Sequence, residues 1–131
     1  PAGGGDFTPA KGWRLRDRYD PGAPASRHQP LASEEVRDLM WRRVGLFRTR
    51  EDLRHAVAAL DQDYLAAQAA LERFTSARGD EWRRLNLVTV ARLIARAALR
   101  REESRGGHFR ADFPERNDID WQVHLIDQRH P

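Results

Sequence analysis

The sequence predicts an all-α fold, a three-helix bundle with an irregular N-terminal arm and an extended C-terminal tail. Apolar residues recur at helical spacing in three successive stretches, and helix start or stop signals flank each stretch. Residues 1–32 instead hold five of the seven prolines, a run of three glycines and few apolar residues. This composition is typical of a linker or surface arm, which we expect to be partly disordered. The domain itself is therefore predicted over 33–131, as a helical bundle that ends in an extended segment.

The first helix is predicted over 34–47. Ser33 is a suitable N-cap, and Glu34 and Glu35 follow it where a helix N-terminus favours negative charge. Gly45 lies in the last turn and weakens the helix, so we expect a stop or a bend there. The apolar positions at helical spacing are Val36, Leu39, Met40, Val44 and Phe47.

The second helix is predicted to begin at Thr49, which has the spacing of a capping box with Asp52. Steps between its apolar residues alternate between four and three, which is typical of helices that pack in bundles. The apolar positions are Leu53, Val57, Leu60, Tyr64, Ala67, Leu71 and Phe74. The helix is predicted to end within 77–80, where Gly79 suits the left-handed position that follows a helix C-terminus.

The third helix is predicted over 81–103 and is apolar around most of its circumference. One face carries Trp82, Leu85, Val88, Ala91, Ala95, Ala98 and Leu99, and a second set widens it: Leu87, Val90, Leu93, Ile94 and Ala97. Such a helix is covered on more than one side. We therefore expect a partner surface in addition to the first two helices.

The chain after the third helix is predicted to be irregular. Gly106-Gly107 end the helix, and Pro114 keeps another helix from starting. Residues 108–113 are predicted to be extended and 115–120 to form a polar loop. Apolar and polar residues alternate over 121–126, which predicts a short strand or extended segment.

Composition excludes several classes of protein. The chain has 131 residues, enough for one domain, and no cysteine, which excludes disulfide scaffolds, zinc–thiolate sites, iron–sulfur clusters and thiol nucleophiles. No apolar run reaches the roughly 18 residues of a membrane span, and the N-terminus has no signal-peptide pattern. The only methionine is Met40, so we expect a piece of a longer chain. The run Gly3-Gly4-Gly5 neither follows a strand nor opens a helix, so it is not a dinucleotide-binding fingerprint.

The net charge of +3 and the pI of about 10.1 reflect 23 basic residues, of which only Lys11 is a lysine. A high pI indicates nucleic-acid binding only when the charge is clustered. Arg92, Arg96 and Arg100 form a basic stripe at helical spacing, where like charges repel, so we expect acidic partners opposite it. The candidate partners are Glu103 and, on the second helix, Asp61, Asp63 and Glu72. No aromatic residues for base stacking interleave the stripe, so no nucleic-acid partner is expected, although a free-standing Arg-rich nucleic-acid-binding module stays an alternative.

Two catalytic interpretations of the segment after the third helix are weak. Ser104, His108 and Asp112 are spaced by four, which would imitate a nucleophile–base–acid triad on one helix face. The two glycines and Pro114 argue against a helix there, so the spacing loses its meaning. A metal site is also not expected, because the spacing matches no tight ligand motif. The metal-ligating types in question are His108, Asp112, Asp118, His124 and His130.

A structural role suits this segment better. Arg105 and Arg110 are expected to form salt bridges with Asp112 and Glu115 and bidentate hydrogen bonds to backbone carbonyls. These bonds would lock the chain reversal after the third helix. The same dense turn could instead dock on a partner domain.

Three motifs resemble one known family. They are Leu-Met-Trp-x-x-Val-Gly at 39–45, Arg-Leu-Asn-Leu-Val-Thr-Val-Ala at 84–91 and Ser-Arg-Gly-x-His-x-Arg-x-Asp-Phe-Pro at 104–114. Over 31–114 the chain resembles the C-terminal helical domain of L-aspartate oxidases. The broader family includes the flavoprotein subunits of succinate dehydrogenase and fumarate reductase. Phe109 and Phe113 stand where the oxidases commonly have Tyr.

The resemblance implies a parent enzyme that oxidises L-aspartate to iminoaspartate on FAD, with oxygen or fumarate as electron acceptor, for quinolinate and NAD synthesis in the cytoplasm. It implies no catalytic, cofactor-binding or metal-binding residue in the present segment, which by itself is expected to be inactive. The segment is expected to pack beside the FAD-binding and capping domains of the same chain. The candidate contact residues are Ser104, Arg105, Gly106, His108, Arg110 and Asp112.

The subfamily has one alternative. Residues 118–124 are similar to the Asp-x-x-Trp-x-x-His ending of the dehydrogenase and reductase flavoproteins. The Met-Trp-x-x-Val-Gly pattern covers the core of the first helix and favours the oxidase.

Overall fold

A computed structural model describes residues 30–73 and 79–126 and shows four helices with no strand in these ranges. They are α1 (Ser33–Val44), α2 (Arg50–Arg73), α3 (Gly79–Arg100) and α4 (Asp118–Trp121). The three long helices pack on one another, and the contact between α2 and α3 is the most extensive. The predicted three-helix bundle is confirmed. The predicted arm, apart from its last three residues, and His130 lie outside the described residues.

The core lies where the three long helices meet. Its buried residues are Val36, Val44, Leu53, Ala56, Leu60, Val88, Ala91, Ala95 and Ala98. The contribution of α3 is mostly alanine, and small side chains allow two helix axes to approach closely. The larger apolar residues of α3, Val90, Leu93 and Ile94, stay about half exposed. The described residues therefore leave part of the wide apolar face of α3 uncovered, as the sequence predicts.

The N-terminal helix differs from the prediction at both ends. Ala32 occupies the N-cap position instead of Ser33, and the Glu35 carboxylate accepts a hydrogen bond from the Ala32 N–H at 2.6 Å. A glutamate three residues into a helix can satisfy the capping residue's own N–H in this way. The helix ends at Val44 and not at residue 47, because the chain turns at Gly45. A Cβ added at Gly45 would overlap the carbonyl oxygen of Trp41, so this turn requires glycine.

The start of α2 agrees with the prediction, but the junction with α3 does not. The Asp52 N–H donates to Thr49 Oγ1 at 3.2 Å, and Thr49 Oγ1 donates to the Asp52 carboxylate at 2.9 Å. Gly79 is the first residue of α3, and therefore does not terminate α2. Asp80 and Glu81 then fall in the first turn of α3, where the helix dipole favours acidic residues. The C-terminus of α3 is Arg100 and not Glu103.

The prediction of a short strand or extended segment over 121–126 is wrong for a strand and wrong at Trp121, which is helical, and the predicted loop 115–120 is only partly right. Residues Asp118–Trp121 form the short helix α4, and Asn117 caps it by accepting hydrogen bonds from the N–H groups of Ile119 and Asp120 at 3.1 Å. The Trp121 side chain is buried beneath the Arg101 guanidinium, 5.7 Å from the ring centroid. Local capping and this buried ring close the segment into a helical turn. Residues 122–126 have no regular structure.

A buried carboxylate joins the chain before α1 to the other two helices. Asp63 is fully buried on α2, and both of its oxygens accept from Arg84 Nη2 at 2.6 Å. Asp63 also accepts the Leu31 N–H at 3.0 Å, while Arg84 Nε donates to the Leu31 carbonyl at 2.9 Å. One ion pair therefore fixes the start of α1 against both α2 and α3.

The basic stripe on α3 faces an acid of α2, as predicted. Arg92 and Arg96 both donate to the Asp61 carboxylate, and the Arg92 guanidinium lies 4.5 Å from the centroid of the Tyr64 ring. A shared carboxylate between two guanidiniums offsets their mutual repulsion. The stripe is thus an internal contact between the helices at these two positions.

The Arg84–Asp63 pair gives a stability prediction. Replacing Arg84 with Met should lower the free energy of unfolding by about 3 kcal/mol, because it leaves a buried carboxylate without its guanidinium. Arg37→Met is the matched control, since Arg37 and Glu34 form an exposed pair on α1, and it should change the free energy by less than about 1 kcal/mol. Urea unfolding followed by circular dichroism measures both. Equal losses would contradict the assigned role of Asp63.

Candidate functional site

The turn after α3 depends on Arg110, whose side chain is fully buried. Its Nη1 donates to the carbonyl oxygens of Ala98, Leu99 and Arg101, each at 3.1 Å. Its Nε and Nη2 donate to the two oxygens of Asp112 at 2.8 and 2.7 Å. The guanidinium thus satisfies carbonyls that a helix C-terminus leaves unpaired and places a positive charge at the negative end of the helix dipole. The predicted bidentate lock is confirmed for Arg110.

Glu103 holds the other half of the turn. Its carboxylate is 1% exposed and accepts from Arg105 at 2.9 and 3.1 Å, from the Asn117 N–H at 2.9 Å, and from Arg101. Burial alone would raise the pKa of Glu103, but the hydrogen bonds from Arg105 and Asn117 and the charges of Arg105 and Arg101 outweigh burial and hold the pKa below its ordinary value. The carboxylate is therefore the ionised centre of this half of the turn.

The partners predicted for Arg105 are wrong. Arg105 pairs with Glu103 and Asp118, not with Asp112 or Glu115. The reason is that α3 ends earlier than predicted, so Glu103 turns inward and takes Arg105. Glu115 contributes instead through its backbone, because its carbonyl oxygen accepts the Ser104 N–H at 3.1 Å.

The three residues of the apparent triad do not act together. Ser104 Oγ donates to the Phe113 carbonyl at 2.8 Å and accepts the Arg110 N–H at 2.9 Å. His108 Nε2 lies 3.2 Å from the Arg101 carbonyl, and its Nδ1 lies 3.1 Å from Nη1 of Arg48. Asp112 is paired with Arg110, so each polar group already has a structural partner and none forms a nucleophile–base pair.

His108 is a neutral hydrogen-bonding bridge. A guanidinium only donates and a carbonyl only accepts, so Nδ1 accepts from Arg48 and Nε2 donates to Arg101. Burial lowers the pKa of His108, and the charges of Arg48, Arg110 and Arg101 lower it further against the opposing effect of the carbonyl hydrogen bond. The ring therefore carries no charge at neutral pH.

The tip of the turn is a tight, exposed reversal. The Arg105 N–H donates to the His108 carbonyl at 2.8 Å, and the His108 N–H donates back to the Arg105 carbonyl at 3.0 Å. Gly106 between them has a φ of +56°, which L side chains rarely adopt. Gly106 and Gly107 are exposed, so their backbone is open to a neighbouring surface.

A contact that the sequence analysis missed joins the turn to the linker between α1 and α2. The Ala111 N–H donates to the Arg48 carbonyl at 2.8 Å, and the rings of Phe47 and Phe109 meet edge to face with centroids 5.8 Å apart. Phe47 is 76% exposed and Phe109 is 37% exposed. We call residues 46–48 and 109–111 together the platform. The sequence signal for this contact is the repeated dipeptide Phe-Arg, at 47–48 and at 109–110. In each copy the ring faces outward and the arginine faces inward.

The six residues predicted to contact another domain divide into two groups. The polar atoms of Ser104, Arg110 and Asp112 are used to hold the turn, and Arg105 and His108 are half-buried in the same network. Gly106 is exposed and has no side chain committed to the network. The idea that this turn meets another domain stays a prediction, and the exposed Phe47 and Phe109 rings enlarge the surface it would use.

The described residues contain no group of three or more metal-ligating side chains, and none of their helices is long and apolar enough to cross a bilayer. Of the five residues weighed as metal ligands, Asp118 is paired with Arg105 and Arg116, and His124 is exposed.

A family model described as fumarate reductase flavoprotein C-term matches residues 33–130. The chain belongs to this family. Its similarity to the L-aspartate oxidase of Streptomyces coelicolor is 35% identity over 105 residues, covering 78% of this chain and 18% of that protein. The L-aspartate oxidase of Nostoc is 36% identical over 120 residues, covering 76% of this chain and 20% of that protein.

A relative from the reductase branch is also similar. One subunit of the fumarate reductase (CoM/CoB) of Methanothermobacter marburgensis is 36% identical over 86 residues, covering 63% of this chain and 16% of that protein. The chain therefore spans about a fifth or less of these three curated relatives. No solved structure gives a significant match. The family predicted from the sequence motifs is confirmed.

Arg110 gives the second stability prediction. Arg110→Lys should lower the free energy of unfolding by about 3 kcal/mol, because an ammonium cannot reproduce the fork that reaches three carbonyls and both Asp112 oxygens. Arg116→Lys is the control, since Arg116 is mostly exposed and should change the free energy by less than about 0.5 kcal/mol. Urea unfolding of both variants, with limited proteolysis of the turn, measures the effect. A loss at position 110 no larger than at 116 would contradict the lock.

Glu103 gives a pH prediction. Its pKa is lower in the folded state than the ordinary value of 4.5, so below that pH the unfolded chain binds more protons and stability falls as the pH falls through the folded-state pKa. Glu103→Gln should flatten this part of the dependence of unfolding free energy on pH, whereas Glu115→Gln, at an exposed position, should leave it in place. Urea unfolding across pH 3–7 measures this. An unchanged slope in Glu103→Gln would exclude Glu103 as the titrating group.

Proposed function

We propose that this chain is the C-terminal domain of an FAD-dependent flavoprotein and that it acts there as a non-catalytic buttress. Membership of the family supports the first part. The second part is supported by the turn of residues 101–117, whose polar side chains hold one another through Arg110, Asp112, Glu103 and Arg105. A turn held together in this way is suited to be a contact surface.

The observation that carries the proposal is the pattern of exposed apolar side chains around a locked scaffold. Trp41, Leu46 and Phe47, near the end of α1, are each at least 70% exposed. Val90, Leu93 and Ile94 extend the exposed apolar surface along α3. Exposed apolar side chains of this size are suited to contact with a neighbouring domain.

For the parent enzyme we propose L-aspartate oxidase. The Streptomyces and Nostoc relatives carry that name, and the motif at 39–45 favours the oxidase. The parent would oxidise L-aspartate to iminoaspartate, passing two electrons and two protons to FAD, and its product would enter quinolinate and NAD synthesis in the cytoplasm. The FAD-binding and capping domains would supply the catalytic residues.

A fumarate reductase or succinate dehydrogenase flavoprotein is the second candidate. Two observations favour it, the similarity to the Methanothermobacter fumarate reductase and the Asp-x-x-Trp-x-x-His pattern at 118–124. The structure gives this pattern a local role, because Asp118 pairs with Arg105 and Trp121 packs beneath Arg101. The flavoprotein that contains this chain separates the candidates by its substrate, since one oxidises aspartate and the other interconverts succinate and fumarate.

The buttress role predicts that flavin and activity belong to the flavin-binding part. The 131-residue chain, purified alone after expression with excess FAD, should show no visible flavin absorbance and no oxidation of aspartate. The flavoprotein that contains it should show both. Flavin bound by the chain alone, or a reading frame that encodes no flavin-binding domain beside it, would refute the proposal.

The exposed rings give a docking prediction. In that flavoprotein, Phe47→Ser combined with Phe109→Ser should speed FAD loss and proteolytic release of this domain by about tenfold, the equivalent of about 1.4 kcal/mol of lost contact. Gln62→Ser, at an exposed polar position on α2, is the control and should leave both rates unchanged. Fluorescence of released FAD and timed proteolysis measure the rates. Indistinguishable rates for the double variant and the control would show that the rings lie outside the interface.

A further inference from the structure

A groove of about 520 Å³ lies between the turn and the C-terminal half of α3. Its apolar floor includes Ile94, Ala97 and Leu125, and the guanidiniums of Arg48 and Arg101 line its polar side. We call this site the Arg48 groove. It combines an apolar surface with a cationic wall, which suits a ligand that carries both an apolar part and a negative charge.

Arg48 has no anionic partner within the described part of the chain. Its Nε donates to the Val44 carbonyl at 2.9 Å, and its Nη1 donates to Nδ1 of His108 at 3.1 Å. Neither acceptor carries a charge. The arginines of the neighbouring turn differ, because Arg101 and Arg105 share Glu103 and Arg110 has Asp112.

The surroundings make this unpaired charge costly. Burial lowers the pKa of Arg48, and the positive charge of Arg110 lowers it further. His108 is neutral and cannot compensate. A half-buried guanidinium beside a second cation gains more from an added carboxylate than an exposed arginine does, because water screens it less.

Exposed apolar side chains continue from the floor of the groove along α3. Val90, Ile94 and Ala97 lie on one side of the helix at helical spacing, and the first two are about half exposed. Seven residues of helix extend about 10 Å. An apolar stripe of that length leading to a cation is suited to a protein surface that presents an acidic side chain with apolar neighbours.

We propose that the Arg48 groove receives an aspartate or glutamate side chain from the flavin-binding part of the same flavoprotein, with apolar neighbours of that residue lying along Val90, Ile94 and Ala97. This inference rests on the proposed function and specifies one of its contacts. Arg48 would supply the electrostatic contact of the interface, and the Phe47 and Phe109 rings of the platform would supply apolar contact. A carboxylate there would give Arg48 the acidic partner that it lacks among the described residues.

The test compares Arg48→Lys with Arg48→Gln. Both variants lose the fork that holds Val44 and His108, but only Gln also loses the charge, so the difference between them reports the charge alone. In the intact flavoprotein, Arg48→Gln should release this domain to protease about tenfold faster than Arg48→Lys, and added salt should reduce that difference. In the 131-residue chain, Arg48→Gln should be at least as stable to heat as Arg48→Lys, because the charge at position 48 lies beside Arg110 and meets no acid there.

Each other outcome overturns the proposal. Equal release rates for Lys and Gln in the intact flavoprotein would mean that no carboxylate faces Arg48. A Lys advantage already present in the 131-residue chain would place the acid within this chain, and one that grows with protein concentration would place it in a second copy. Each of these three outcomes contradicts the proposal for Arg48 only, provided that the intact protein binds FAD, because the proposed function then still holds. A reading frame without a flavin-binding domain would contradict both proposals.

Discussion

The contact on which the turn and its surface depend is the buried guanidinium of Arg110. It ends α3 by taking three carbonyls near the helix C-terminus, and its salt bridge with Asp112 fixes the stretch of chain that returns past the linker. Because the Arg48 carbonyl then meets the Ala111 N–H, the same lock positions Phe47 against Phe109. One fully desolvated arginine thus determines where the helix stops, how the chain reverses and which rings face outward.

The bundle and the turn illustrate two uses of buried charge. Between the helices, Asp61 and Asp63 on α2 each receive guanidiniums from α3, and the second pair also holds the start of α1. In the turn, arginines instead satisfy backbone carbonyls and share carboxylates. Breaking such pairs is costly because an unpaired buried charge is left behind. Ion pairs of this kind hold the surface of the domain in one arrangement. The proposed role, supporting a flavin-binding domain, requires such a surface.

The sequence predicts the bundle because helical periodicity is a local signal, and it predicts the Arg110 lock because glycines and a proline exclude a continued helix there. Helix ends were harder to predict. Gly45 ends α1 because of its contact with the Trp41 carbonyl, and α3 stops where Arg110, distant in sequence, takes its carbonyls. The partners of Arg105 and the packing of Trp121 likewise depend on tertiary contacts that spacing does not encode. The sequence predicts the family because the longest family motif, at residues 104–114, is the segment that forms this turn.

The central claim is that the platform and the exposed side of α3 are covered by the flavin-binding part of the same protein. Amide hydrogen exchange, compared between the 131-residue chain and the flavoprotein that contains it, tests this most directly. We expect residues 46–48, 106–111 and 90–97 to exchange more slowly in the flavoprotein, while the exposed end near Ile119 exchanges equally in both. The same exchange rates for the platform in both proteins would contradict the claim.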